Sequence, residues 1–203
     1  MNRKRLAAFL CLLCCIVALT LFPHPSVVTA RANPPAAIID ITGTVVGVGG
    51  RFGGRTRPFR LIVNRYTPTE DVERLNRALQ SGGENELLGT LRGMNAGRII
   101  IGNNVGVQCN AIIATPQEDG TKLMVLYERT LRFFEVRYGS RSEDYRFGYA
   151  EIFLRRGGNS EGTFIPAAQV RLRDGNTWEV EDFGEFPARL MGLRTHRDNS
   201  RRQ

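Results

Sequence analysis

Between residues 38 and 48 apolar and polar side chains alternate, with Ile39, Ile41 and Val45 on one side and Asp40, Thr42 and Thr44 on the other. Successive side chains of an extended chain point to opposite faces, so a period of two marks a half-buried strand. Phe59, Leu61 and Val63 repeat the pattern beyond a stretch rich in glycine and arginine, 47–56, and the two segments read as a hairpin with a long connection. The period then changes. Thr67-Pro68-Thr69-Glu70 predicts a helix start, with Thr67 as the cap, Pro68 in the first position and Glu70 completing a capping box. Val72, Leu75 and Leu79 share the helical face that follows. Glu70 with Arg74 and Glu73 with Arg77 form favourably ordered i,i+4 pairs, and Gly82-Gly83 stops the helix. Leu87, Leu88 and Leu91 predict a second short helix.

Strands are expected over 98–102, 105–115, 121–130, 131–138, 147–155, 163–173 and 177–183, separated by turn-forming residues such as Asn103-Asn104 and Asp174-Gly175-Asn176. Short, even spacing predicts an antiparallel meander. The fold class that follows is α+β and mostly β. We expect an antiparallel curved sheet or partly open barrel, with one or two short helices inserted after the second strand and packed on it or plugging it. For the last hairpin, a three-residue loop at 174–176 sets Leu172 against Trp178, Val170 against Val180 and Arg171 against Glu179. That register keeps the two faces unmixed, which burial demands.

Charge changes the picture once it is located. The chain of 203 residues carries 28 Lys plus Arg against 20 Asp plus Glu, yet Arg3, Lys4 and Arg5 precede an apolar run at 6–22 that only Thr20 interrupts. Pro23, Pro25 and small residues up to Ala32 follow, the pattern of a secretory signal peptide cleaved after Ala30 or Ala32. The organisation expected is a leader over 1–32, one β-rich domain over 33–193 and a basic polar tail over 194–203. Secretion or a periplasmic location follows, with a membrane contact only if the leader is kept. The body, 33–193, holds 20 basic and 19 acidic residues, so the basic excess argues for no nucleic-acid partner. Three of the four cysteines lie in the leader, leaving Cys109, and His196 is the one histidine of the mature chain. An internal disulfide, a Cys/His zinc site and a triad built on a buried imidazole all lack their residues.

The capped helix with its double glycine is followed by Arg141-Ser142-x-Asp144-Tyr145-x-Phe147 running into Glu151-Ile152-x-Leu154. The run from Asn176 to Gly184 and Pro187-Ala188-Arg189-Leu190 come after it. Over about residues 66–194 this pattern resembles a recurrent group of small secreted bacterial proteins with no assigned activity. The resemblance implies one secreted domain and carries no functional residues.

Candidate chemistry is sparse. Gly49-x4-Gly54-Arg55-Thr56 has Arg where a phosphate loop has Lys, and a strand rather than a helix follows it, so it reads as a flexible loop. No cofactor motif is present. Cys109 shares an alternating apolar face with Val105, Val107, Ala111 and Ile113, which makes it a core side chain rather than a nucleophile. Glu179, Glu181 and Asp182 are the acid and base candidates of a carboxylate-based secreted hydrolase, with Arg171 and Arg173 across the turn offering a plain charge ladder instead. Arg51, Arg55, Arg57, Arg60 and Arg65 are the one unbalanced cluster, with no acidic residue between Thr42 and Thr69. They suit an anionic envelope glycan or lipid headgroup, because guanidinium forks match phosphate and carboxylate, although a solvated loop is the plainer and preferred reading of the cluster. A non-enzymatic binding domain is therefore the leading reading, with the hydrolase as the alternative.

Overall fold

The computed structural model describes residues 39–48, 53–130, 144–173, 177–183 and 187–196. The leader, Arg51, the strand expected over 131–138, the turn at 174–176 and the tail beyond His196 lie outside the described residues. In chain order the elements are β1 (Ile39–Val46), β2 (Thr56–Val63), α1 (Thr69–Arg92), β3 (Gly97–Ile101), β4 (Val107–Cys109) and β5 (Ala111–Gln117). They continue with β6 (Gly120–Glu128), β7 (Phe147–Arg155), β8 (Ser160–Arg173), β9 (Thr177–Asp182) and β10 (Ala188–His196). The ten strands make one antiparallel sheet in the order β4-β3-β2-β1-β10-β8-β7-β6-β5, with β9 added to β8. It is an open, curved sheet that does not close into a barrel.

Alternation explains most of this. Ile41, Val45, Phe59, Leu61, Val63, Ile99, Leu123, Val125, Ile152 and Leu190 are buried together on the face around which the sheet curves. On the opposite face of β6, β7 and β8, Leu126, Phe147, Tyr149, Ile165 and Val170 pack against Leu75, Leu79, Leu87, Leu88 and Leu91 of α1. The helix thus packs on the sheet rather than plugging it. Each fully buried aliphatic side chain contributes about 1.5–3 kcal/mol, so these two clusters hold the fold without a disulfide.

Three local expectations are corrected. Pro68, not Thr67, is the N-cap of α1, with no side-chain cap. Thr67 is buried and spends its hydroxyl accepting from the Ile112 N–H at 2.9 Å, while its own N–H donates to the Ile112 carbonyl. Arg74 pairs with Asp71, at 2.9 Å, rather than with Glu70. Gly83 does interrupt the helix, at φ 61° and ψ −148°, but both halves continue within one helical segment.

The strand read as 105–115 breaks at Asn110, and no single alternating face runs through it. Val105 and Val107 are exposed, whereas Cys109, Asn110, Ala111 and Ile112 are all buried. β4 and β5 are consecutive in the chain yet sit at opposite ends of the sheet order, β4 on β3 and β5 on β6. Asn110 therefore marks a seam where the curved sheet brings its two ends together.

β10 lies between β1 and β8 and was not expected from the pattern. Its buried Leu190 and Leu193 are three apart, because Gly192, at φ 61°, lies in a bulge. Opposite that bulge a Cβ on Gly43 would meet Leu193 Cδ2 at 2.6 Å and the Met191 carbonyl at 2.9 Å, so only glycine fits there. β10 also runs three residues into the stretch expected as tail, with Asp40 facing His196.

Candidate functional site

The register of the β8/β9 hairpin is as expected: Arg171 faces Glu179, Leu172 faces Trp178 and Val170 faces Val180. The ion pairs run diagonally, Arg173 to Glu179 at 2.6 Å and Arg171 to Glu181 at 3.7 Å. Glu181 also accepts from the Tyr145 hydroxyl at 3.2 Å. Glu179 and Glu181 are thus half-exposed carboxylates held by arginine, the charge ladder, and Asp182 lies opposite Ala168 at the end of the strand. Nothing in this geometry aims a carboxylate into a cleft.

The arginine cluster is divided by the strand that carries it. β2 has eight residues, which span roughly 26 Å. Arg60 points to the face opposite Phe59 and Leu61, where its Nη2 reaches Asp40 Oδ2 at 2.6 Å. Arg65 lies past the far end of β2, its Nε donating to the Asn95 carbonyl at 3.2 Å. Arg55 and Arg57 remain together at the near end, both exposed. The loop that precedes them is closed by Gly47 N–H to Arg55 O at 2.9 Å and Gly54 N–H to Gly47 O at 3.0 Å.

What joins Arg55 and Arg57 is the turn between β3 and β4. The Gly102 N–H donates to the Pro58 carbonyl at 2.8 Å, which seats this turn beside the start of β2. A Cβ on Gly102 would lie 3.8 Å from Arg57 Cδ. Gly102 and Gly106 both take positive φ, and Arg98 Nη1 donates to the carbonyls of Val105 and Gly106, each at 3.2 Å. The guanidinium fixes the turn from one side and presents Val105, which is 87% exposed. Such a side chain gains nothing in water. The acid-free segment 41–69 carries Arg55 and Arg57, and the acid-free segment 87–117 carries Arg98 and Val105. The sheet lays these segments side by side in antiparallel register, so the turn carrying Val105 is seated by the start of β2 with Arg57, whereas Arg98 stands opposite Ile62 near the other end of β2 and reaches the turn only through its guanidinium. The turn carrying Val105 had no signal as a site in the sequence, because only the pairing of β3 with β2 seats it beside Arg57.

Among the described residues no group of three or more His, Cys, Asp or Glu is placed to hold a metal ion, and no helix is long and apolar enough to cross a membrane. Cys109 is fully buried, and burial pushes its thiol up to about 12. No family model, curated protein or solved structure matches the chain.

Proposed function

We propose that this is an exported, non-enzymatic β-rich domain that adheres to an anionic surface of the cell envelope through the end of the sheet bearing Arg55, Arg57 and Val105. The observation that carries the reading is Val105, 87% exposed in a turn that Arg98 pins and that is seated beside the arginine-bearing start of β2. Guanidinium groups supply attraction to phosphate or carboxylate. The apolar tip favours a lipid headgroup layer over a glycan, since a side chain lowered past the headgroups meets hydrocarbon. Export rests on the leader pattern over 1–32, and the likeness to small secreted bacterial proteins agrees with it.

The test compares the exported protein with the triple variant Arg51→Ser, Arg55→Ser, Arg57→Ser and with Val105→Asp. Vesicles of phosphatidylglycerol, vesicles of phosphatidylcholine and a sulfated glycan column serve as probes, each at low and moderate salt. Retention on the anionic vesicles alone, falling as salt rises and lost in both variants, is expected. Unchanged retention in the variants, or none by any of the proteins, overturns the reading. Equal retention on the glycan, indifferent to Val105→Asp, transfers it to a glycan partner.

A further inference from the structure

The seam of the sheet carries a second site that shares no residue with the surface just described. Where β4, the end of β6 and the start of β7 approach one another, they enclose a cleft of about 510 Å³. Arg92 enters from the last turn of α1, Gln108 from β4, Glu128 and Arg129 from the end of β6, and Arg146 from just before β7, while Val107 forms an apolar wall. The buried Asn110 holds the elements together. Its Nδ2 donates to the Leu91 carbonyl at 2.9 Å, and its Oδ1 accepts from the Glu128 N–H at 2.9 Å.

Most polar groups of the cleft have structural partners. Arg92 grips Glu128 with two nitrogens, Nη2 to Oε1 at 2.8 Å and Nε to Oε2 at 3.1 Å. Arg129 donates through Nε to the Tyr145 carbonyl at 2.9 Å, and Gln108 donates to the Met94 carbonyl at 3.0 Å. Arg146 differs. Its charge acts on the carboxyls of Glu128 and Glu84, yet among the described residues its guanidinium makes no hydrogen bond and no ion pair. A guanidinium at the wall of a cleft with its donors unspent can turn its fork to an anion.

The charges define the anion. Arg92 and Glu128 neutralise one another, and Arg146 brings a positive charge with its guanidinium donors unspent. A phosphate monoester carries about −1.5 to −2 near neutral pH and offers three acceptor oxygens to a guanidinium fork. The cleft volume lies within the roughly 300–1,000 Å³ usual for small-molecule sites, so it leaves room for an organic body against Val107. We infer that the seam cleft binds a small organic phosphate monoester, with Arg146 as its principal phosphate contact.

Calorimetric titration of the full exported protein with inorganic phosphate and with glycerol phosphate, at low salt, tests this. Saturable binding is expected, tighter for glycerol phosphate because its carbon chain reaches Val107. Arg146→Gln removes the charged contact and should weaken both by about tenfold or more. Glu128→Gln removes the competing carboxylate and releases Arg92, so both ligands should bind more tightly. A residue with only a structural role does not produce these opposite signs. Arg57→Ser should leave both affinities unchanged, so this site and the envelope surface stand or fall separately. Circular dichroism establishes that each variant is folded. Absent saturable binding, equal binding by Arg146→Gln, or weaker binding by Glu128→Gln overturns the inference.

Discussion

Cys109 and Asn110 sit side by side at the seam and meet opposite demands. The thiol needs only to be dry. It is fully buried among apolar neighbours, and burial, the dominant influence, pushes it up to about 12 against a small opposing effect from the Ile99 backbone and Arg98. The thiolate is the reactive form, so the native thiol should label slowly with a maleimide at neutral pH and quickly in denaturant. Equal rates in both would place Cys109 at the surface. The amide next to it must instead be satisfied, and Asn110 manages this by taking carbonyls from the end of α1 and an N–H from the end of β6. A buried amide without those partners would cost about 1–3 kcal/mol for each group left unmade. That pair shows why Cys109 was legible as a core residue while its face was not: the apolar type was visible, but β4 is a three-residue strand at the end of the sheet order that buries Cys109 and leaves Val107 exposed.

At the scale of elements, α1 meets the sheet through one carboxylate as well as through leucines. Glu84, just past the break at Gly83, accepts the Val170 N–H through Oε1 at 2.6 Å, at a part of β8 beyond the last residue paired with β7. Burial raises its pKa, opposed by that hydrogen bond and by the charges of Arg171 and Arg146. A raised carboxyl favours the protonated folded state. Its stabilising contribution is fully present below the ordinary value of 4.5 and is lost as pH rises through the raised value. Glu84→Gln keeps an oxygen for Val170 and removes the titration. The wild type should therefore lose stability relative to the variant as pH rises from below 4.5 through the raised value, read in urea denaturation series. A difference that is constant with pH, or that grows toward neutrality, contradicts this placement. β10 illustrates what an element hides. A bulge at Gly192 makes its buried residues fall at Leu190 and Leu193, out of step with a period of two. Gly43 gave no hint either, because the steric need for a missing Cβ arises only once Leu193 lies across from it.

For the whole molecule, the order of strands decides where rigidity and where exposed chemistry lie. β6 and β7 contribute side chains to both apolar clusters, and each has a strand on either side. β1 and β2 bury one face only, the other carrying groups such as Asp40 and Arg60. Amide hydrogen exchange should be slowest in β6 and β7, where opening requires both clusters to separate, and measurably faster in β2 and β3. Uniform protection across the sheet, or the slowest exchange in β1 and β2, would show that α1 adds little to stability. The same order splits the arginine cluster read from the sequence. Arg57 and Arg60 lie on opposite faces and Arg65 lies past the other end of the strand, while Arg98 arrives from β3. The guanidinium groups of the seam cleft come from positions as far apart as Arg92 and Arg146 and were not legible at all.

By itself the sequence determined the class of fold and the identity of nearly every strand. It also determined the helix after β2, its interruption at Gly83 and the register of the last hairpin, because each follows from side-chain period or turn chemistry within a few residues. Only the tertiary structure decided that the sheet brings its ends together at Asn110, that β10 enters between β1 and β8, and which arginines stand near one another. Those are matters of long-range strand pairing. Pairing is set by the joint burial of two clusters, Ile41 and Leu61 with Ile152 on one side and Leu87 and Leu91 with Phe147 on the other, and no local pattern encodes it.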